Sequence, residues 1–228
     1  MKMTGFPKLI GVIHLPALPG APGCRLPASE AVSRAARHAV SEAKMLEAAG
    51  FEGIIVENFG DAPFYRSKVP PLTISAMSVI VASVRDVTKL PLGINVLRND
   101  GRAALAIAAV AGAQFIRVNV LTGVAATDQG IIEGEAAELM RAGGDAVIVT
   151  GTTTGRAIEL ARLQAAAAQR TGAPLYLGSG VTPENIESYS GLVHGVIVGS
   201  ALRERGVAGA PLESARVRKF SKAWKERA

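Results

Sequence analysis

Short β-branched runs alternate with longer Ala-rich runs of helical periodicity along the whole chain. The short runs predict strands at Leu9–His14, Gly53–Asn58, Leu92–Leu97, Phe115–Val120, Asp145–Thr150, Leu175–Gly178 and Gly195–Gly199. The longer runs predict helices at Ser29–Ala49, Pro71–Thr88, Gly101–Ala111, Thr154–Arg170, Pro183–Ser188 and Glu213–Lys225. A strand followed by a crossover helix and another strand is typical of parallel βαβ units. We therefore predict an α/β fold, a TIM (β/α)8-type barrel in a single domain over residues 1–228, with an open doubly wound sheet as the alternative.

The number of units is one short of a closed barrel. Such a barrel has eight strands, whereas the sequence predicts seven. Between Val120 and Asp145 there is room only for a polar loop and one short helix, Glu135–Met140. One βα unit is therefore absent near Met140 and Arg141. Either the natural chain has a deletion, or the sequence omits a stretch of it; we favour the second because a barrel without one strand would expose two sheet edges.

Composition and charge exclude several classes of protein. Hydrophobic residues make up 49% and charged residues 19% of the chain, which is typical of a folded domain. The net charge is +6, but the basic residues are scattered, apart from a cluster at Arg216–Arg227, and no nucleic-acid motif accompanies them. We therefore predict no nucleic-acid partner. A solvated basic surface that attracts anionic substrates explains the charge better.

The cysteine count and the apolar runs indicate a cellular compartment. Cys24 is the only cysteine, so an intramolecular disulfide and a cysteine-based zinc site are both excluded. No apolar run reaches the ~20 residues that a membrane-spanning helix needs. We predict a cytoplasmic protein that is not integral to a membrane, while peripheral association through a partner and homo-oligomerisation stay open.

Polar side chains follow the predicted strands at their C-terminal ends, where barrels of this type keep their chemistry. Because alternate residues of a strand face opposite sides, Arg117 and Asn119 face the interior together, and Asn95 faces it from the third strand. The second strand carries Glu57 near its end, and the first ends in His14.

Roles follow from these positions. Glu57, Asp128 and His14 are the acid–base candidates. The substrate-binding candidates are Asn95, Arg117, Asn119, Thr150 and Thr152. A buried structural network of Asn95, Arg117 and Glu57, and a loop-capping role for His14, remain the alternatives.

Two glycine loops follow the last two predicted strands. One is Gly178–Asn185 and the other is Gly199–Leu202. Small residues let backbone amides approach an anion closely, and the corresponding loops are the usual phosphate site of such barrels. We predict phosphate binding at Ser179, Gly180, Gly199 and Ser200; the alternative is two tight βα turns.

Two other features complete the site prediction. The polar loop Thr122–Gly130 is interpreted as a lid or as the carrier of Asp128, with an ordinary mobile loop as the alternative. The three histidines, His14, His38 and His194, lack a matching carboxylate spacing. We therefore predict no metal site and no cofactor.

Longer phrases of the sequence resemble a known family. They are Gly11–Gly20, Ile54–Asp61, Leu92–Asp100, Phe115–Val120, Thr127–Gly130, Asp145–Gly151 and Ser179–Asn185. Together they cover nearly the whole chain and are similar to the BtpA/SgcQ family, named for photosystem I biogenesis in cyanobacteria. The resemblance implies a ribulose-phosphate-binding type of barrel, and it implies a further strand with a polar end, typically a Lys-His pair, where this chain has its gap.

Two hypotheses of different class result. The first is an enzyme acting on a phosphorylated sugar or nucleoside-like substrate, whose reaction the residues leave open. The second, which the family name suggests, is a non-catalytic factor for the biogenesis or assembly of a membrane complex. The cluster Arg216–Arg227 is the candidate partner surface for that role, although it is explained equally by a last helix with Phe220 and Trp224 packed inward.

Overall fold

A computed structural model describes residues 5–141, 148–150, 156–169 and 174–227. The chain divides into two units, of which the first comprises residues 1–3, 13–44 and 54–145 and the second residues 4–12, 45–53 and 146–228. Strand β1 (Leu9–His14), helix α1 (Ala28–Ala49) and strand β2 (Gly53–Glu57) contribute residues to both.

The first unit contains a parallel ladder in the order β2, β3 (Leu92–Asn95) and β4 (Phe115–Arg117). Helices α2 (Pro71–Arg85) and α3 (Gly101–Ala111) follow β2 and β3 in the chain, and they bury mostly apolar side chains. Asp100 caps α3 by accepting a hydrogen bond from the amide of Ala103, and Gly112 ends it with a left-handed φ of 70°. The predicted ends of α3 are therefore set by local chemistry, whereas α2 ends at Arg85, three residues before the predicted Thr88.

A β-hairpin follows β4, where the sequence predicted a polar loop. Strands β5 (Val124–Thr127) and β6 (Gly130–Glu133) pair in antiparallel fashion, and the short helix α4 (Ala136–Arg141) comes next. The loop prediction was therefore wrong for this segment. The turn consists of Asp128 and Gln129, and Gly130 takes the positive φ of 99° that closes it.

The second unit contains a parallel ladder in the order β1, β9 (Gly195–Val198), β8 (Leu175–Leu177) and β7 (Ile148–Thr150). Helix α5 (Leu160–Gln169) precedes β8, and helix α6 (Ser214–Glu226) ends the unit. Val217, Phe220 and Trp224 are buried on α6, as the interpretation of this cluster as a last helix requires. In the described ranges, no helix combines the length and the apolar character needed to cross a bilayer.

Most strands end one to three residues before the predicted end. The clearest case is β4, which stops at Arg117 instead of Val120. The predicted helix Pro183–Ser188 is a 3₁₀ turn at Ile186–Tyr189. Residues 145–147 of the predicted fifth strand lie outside the described residues. Among the described residues, β4 pairs with β3 alone, and the segment between β4 and β7 adds no strand to the parallel sheet.

Candidate functional site

Three polar residues stand side by side across the ladder of the first unit. The strand register pairs Glu57 with Asn95 and Asn95 with Arg117, so the three side chains share one face of the sheet. The Arg117 Nη1 lies 3.4 Å from a carboxylate oxygen of Glu57 and 3.3 Å from the Asn95 Oδ1. Asn95 donates in turn to the Arg117 carbonyl at 3.1 Å. This row carries opposite charges at the C-terminal ends of three neighbouring strands.

His14 stands beside this row. Its Nε2 lies 3.7 Å from the Glu57 Oε1, and both side chains are less than a tenth exposed. The imidazole stacks on the Phe59 ring with centroids 4.3 Å apart. Behind it, the His38 Nε2 lies 3.2 Å from the His14 carbonyl oxygen and 3.4 Å from a carboxylate oxygen of Glu42. Through His38, helix α1 therefore contacts the end of β1. That end carries His14, which pairs with the Glu57 carboxylate.

A chain of ring contacts leads away from His14. The Phe59 and Phe64 rings lie 6.4 Å apart in an edge-to-face arrangement. The Arg98 guanidinium lies over Phe64, 5.4 Å from its centroid. Arg98 also forms an ion pair with Asp128 at the tip of the β5–β6 hairpin. Phe59, Phe64 and the Arg98 guanidinium thus form an aromatic wall beside the His14–Glu57 pair.

Side-chain amides and a carboxylate fix the loops after β2 and β3. Asn58 accepts a hydrogen bond from the Leu97 amide at 2.7 Å and donates to Asp61 at 3.0 Å. Asp61 also accepts from the Leu18 amide at 2.8 Å. Asn99 accepts from the Val120 amide and donates to the Val120 carbonyl, which braces the segment after β4. These contacts hold the loops on which the site depends.

Burial raises the pKa of Asp61 above its ordinary value of 3.8, and this effect outweighs the two hydrogen bonds that stabilise its charge. The folded protein therefore binds this proton more tightly than the unfolded chain does. Asp61 opposes folding once both states are ionised, and this penalty is lost as the pH falls through the raised pKa towards 3.8. Compared with an Asp61→Asn variant, we expect the native protein to gain free energy of unfolding on acidification. Urea titrations at a series of pH values measure this difference, and a difference that is constant or falls in acid would contradict the expectation.

The structure brings together some of the predicted site residues but not all. Glu57, His14, Asn95 and Arg117 meet within the first unit. Asn119 lies beyond the end of β4 and is exposed, so the alternation that placed it inward does not apply to it. The acid–base role of Asp128 stays a prediction.

Two predicted threonines have little or no structural description. Thr150 ends β7 and is described by its backbone alone, and Thr152 lies outside the described residues. The sequence-based reasoning missed Phe59, Phe64 and Arg98. Phe59 directly follows the polar pair Glu57-Asn58, and Arg98 directly follows the third predicted strand. Their positions just after strand ends were the signal that could have identified them.

The two glycine loops belong to the second unit. In the loop after β8, Asn185 accepts from the Thr182 amide at 2.8 Å and donates to the Gly180 carbonyl at 2.9 Å. Gly180 has a φ of 68°, and a Cβ atom there would lie 2.0 Å from the Arg156 carbonyl oxygen. A side chain is thus excluded, and the backbone of this loop is fixed.

The loop after β9 is a 3₁₀ turn, Ser200–Leu202. Its first hydrogen bond runs from the Leu202 amide to the Gly199 carbonyl, so the amides of Ser200 and Ala201 precede it. Amides at the start of a helical turn have no partner within that turn. No group of three metal-ligating side chains occurs in the described part of the chain.

Sequence comparison places the chain in a family. The profile of the BtpA family matches residues 7–144 and 140–226. The chain belongs to the BtpA family. It is 42% identical to an uncharacterised protein of Pyrococcus horikoshii over 87% of this chain and 88% of that protein. It is 38% identical to the photosystem I biogenesis protein BtpA of Synechocystis over 96% of this chain and 88% of that protein.

The BtpA-family match is interrupted in the same region as the predicted gap. Its two matched segments overlap at residues 140–144, where the sequence predicts that one βα unit is absent. The alignment with the Synechocystis protein runs over 256 positions, more than the 228 residues of this chain. That relative therefore carries residues that this chain lacks.

Solved structures share the fold at low identity. Thiamine phosphate pyrophosphorylase from Pyrococcus furiosus has a TM-score of 0.59 at 13% identity and covers 96% of both chains. Phosphoribosyl anthranilate isomerase from Thermus thermophilus has a TM-score of 0.57 at 12% identity, over 95% of this chain and 98% of that one. Geranylgeranylglyceryl phosphate synthase from Thermoplasma acidophilum has a TM-score of 0.53 at 13% identity, over 96% and 94%. This BtpA-family chain is an α/β protein of the TIM-barrel type.

Proposed function

We propose that this BtpA-family protein binds a phosphorylated sugar or nucleoside-like molecule and acts on it by proton transfer. The observation that carries the catalytic half is the row of the buried Glu57 and Asn95 and the half-buried Arg117, with His14 against Glu57. Buried opposite charges at the C-terminal ends of barrel strands are costly to maintain and typical of active sites. The described contacts therefore favour an enzyme.

Each residue of the row has a distinct part in this proposal. Glu57 and His14 exchange a proton with the substrate, since a carboxylate next to an imidazole is a common acid–base pair. Arg117 and Asn95 are positioning residues: Arg117 holds the Glu57 carboxylate, and Asn95 holds Arg117 through its carbonyl and its guanidinium. Isomerisation, aldol-type cleavage and glycosidic-bond chemistry can all use such a pair, and no contact selects among them.

The phosphate half of the proposal rests on the loops after β8 and β9. Gly180 has no side chain, and the amides of Ser200 and Ala201 precede the first hydrogen bond of their turn, so backbone amides together with the Ser179 and Ser200 hydroxyls are the groups that would bind the anion. The names of the three structural neighbours given above all refer to phosphorylated compounds, and the synthase structure contains sn-glycerol-1-phosphate. A shared fold is compatible with a similar ligand but does not by itself establish one.

We expect Ser200→Asp to abolish the stabilisation that a phosphorylated ligand gives. A ligand at one hundred times its Kd raises the free energy of unfolding by about 2.7 kcal/mol, which a thermal-shift screen of sugar phosphates and nucleotides detects. The new carboxylate repels the phosphate, yet it is tolerated at the start of a helical turn. This choice avoids Gly180, where any side chain would meet the Arg156 carbonyl.

Ser188→Asp is the matched control. It introduces the same charge at an exposed position of the neighbouring 3₁₀ turn. The control should keep the ligand-induced shift. If Ser200→Asp kept it as well, the loop after β9 would not bind the phosphate.

A second candidate function is a non-catalytic biogenesis factor for a membrane complex. It is favoured by the name of the Synechocystis relative. Helix α6 supplies a candidate partner surface, because Arg218, Lys222 and Lys225 are exposed on it. Absence of any shift with phosphorylated ligands, together with co-purification with a membrane complex, would favour this function over the enzyme.

A further inference from the structure

The backbone and the guanidinium of Arg98 both have contacts, but its ion pair is long. Its amide donates to the Tyr65 carbonyl at 3.0 Å, and its guanidinium lies 5.4 Å from the Phe64 centroid. The side chain is 29% exposed. Among the described residues, its guanidinium forms an ion pair with Asp128. A guanidinium presents a rigid fork of donors that fits two oxygens of a carboxylate or phosphate.

The contact with Asp128 does not use this fork. The Arg98 Nη2 and the Asp128 Oδ1 are 3.6 Å apart, beyond the distance of about 2.7–2.9 Å for a charge-assisted hydrogen bond. The Asp128 side chain is 72% exposed. Exposed pairs of this kind contribute little to stability. An anion that can approach the fork directly therefore competes well with Asp128.

Asp128 lies in the turn of the β5–β6 hairpin, whose side chains are mostly exposed or half-buried. Within the turn, the Thr127 hydroxyl donates to the Gly130 carbonyl and accepts from the Gln129 amide, so the turn residues are connected mainly to one another. Val124 and Ile131 are 67% and 60% exposed, whereas Ile132 is buried. Ile132 is the one fully buried residue of Val124–Glu133, although the Gln129 Oε1 is also buried, so we expect the hairpin to open at a lower free-energy cost than the sheet does.

We propose that Arg98 is an anion-binding subsite for a carboxylate or phosphoryl group, and that Asp128 is an internal competitor for it. When an anion takes the guanidinium, the tip of the β5–β6 hairpin loses its ion pair and the hairpin opens more often. The subsite lies at the far end of the aromatic wall from His14. This goes beyond the proposed function, which assigns its phosphate to loops of the other unit.

Hydrogen–deuterium exchange of the full chain, followed by mass spectrometry of peptides that cover residues 121–134, tests the competition. In chloride buffer, Asp128→Asn should raise the exchange rate of the hairpin amides roughly two- to fivefold, the range expected for loss of an exposed ion pair. Glu133→Gln is the matched control, because it removes an equal charge from an exposed position of the same hairpin. The control should leave the rate unchanged.

Inorganic phosphate at equal ionic strength and pD supplies the second arm. It should raise the hairpin rate of the native protein towards that of Asp128→Asn, and it should have no effect on Asp128→Asn or Arg98→Gln. Arg98→Lys keeps the charge without the fork and should respond less than the native protein. A native rate that phosphate leaves unchanged or lowers, or an Asp128→Asn rate equal to that of Glu133→Gln, would overturn the proposal.

A variant of the other unit separates this proposal from the proposed function. Ser200→Asp should keep the hairpin response to phosphate if Arg98 is the site, even though it loses the stabilisation by phosphorylated ligands. If Ser200→Asp lost the hairpin response, the effect would originate in the glycine loops, and the Arg98 subsite would be wrong.

Discussion

Replacement of Glu57 by Ala is expected to lower the free energy of unfolding by about 3 kcal/mol, because Arg117 and His14 then keep no carboxylate between them. The Glu57 side chain is 7% exposed, and removal of one partner from a buried pair is strongly destabilising. Arg117 is 24% exposed, so water compensates it in part and the loss falls at the low end of the range for buried pairs. Urea denaturation measures the difference.

Two companion variants separate the stability role of Glu57 from its chemistry. Glu133→Ala removes an exposed carboxylate and should change stability by less than about 0.5 kcal/mol. Glu57→Gln keeps the size and one acceptor oxygen but not the charge, so it should lose less stability than Glu57→Ala while losing turnover about 100-fold or more on an identified substrate. Full turnover in Glu57→Gln would exclude the acid–base role, and native stability in Glu57→Ala would show that the row does not support the fold.

Replacement of Gly60 by Ala is expected to cost about 3 kcal/mol of stability, at the upper end for overpacking, because the new methyl group meets backbone atoms. A Cβ atom at Gly60 would lie 2.3 Å from the Ala17 nitrogen and 2.5 Å from the Pro16 carbonyl carbon. These atoms cannot rotate away as a side chain can. The Gly60 amide also donates to the Leu15 carbonyl at 2.9 Å, so any shift breaks a backbone hydrogen bond.

The consequence should extend to the site, because Phe59 precedes Gly60 and stacks on His14. We therefore expect Gly60→Ala to weaken any ligand-induced thermal shift as well as stability. Gly23→Ala is the control: its Cβ atom would lie 3.2 Å from the Ala17 Cβ, an overlap that a shift of a few tenths of an ångström relieves, and the loss should stay below about 1 kcal/mol. Equal losses in the two variants would show that the backbone contact at Gly60 is not what matters.

The row of Glu57, Asn95 and Arg117 could be predicted from the sequence because it follows from strand geometry. Alternation places Asn95 and Arg117 on the inner face, and parallel strands of similar length bring their C-terminal ends to one edge. Glu57 follows from the same rule on the neighbouring strand. The exact register was not predictable, since it depends on packing between strands that are distant in the chain.

The aromatic wall could not be predicted in the same way. Phe59, Phe64 and Arg98 lie in loops, and loop conformations depend on contacts with segments distant in the chain, such as that of Asn58 with the Leu97 amide. The hairpin was missed for a related reason. Val124–Glu133 has no strong alternation, and its pairing depends on the turn at Asp128 and Gln129.

The order of strands and helices, the helix ends at capping residues and glycines, and the position of the absent βα unit all follow from local pattern, which requires no knowledge of distant contacts. The early end of β4 at Arg117, the exposure of Asn119 and the pairing of Arg98 with Asp128 were decided by tertiary contacts. In the described residues no strand lies beyond β4 in the first unit, so a strand that the local pattern extends to Val120 has no further neighbour to bond. Asn99 provides hydrogen bonds to the Val120 backbone in place of such a neighbour, and only the folded chain shows this.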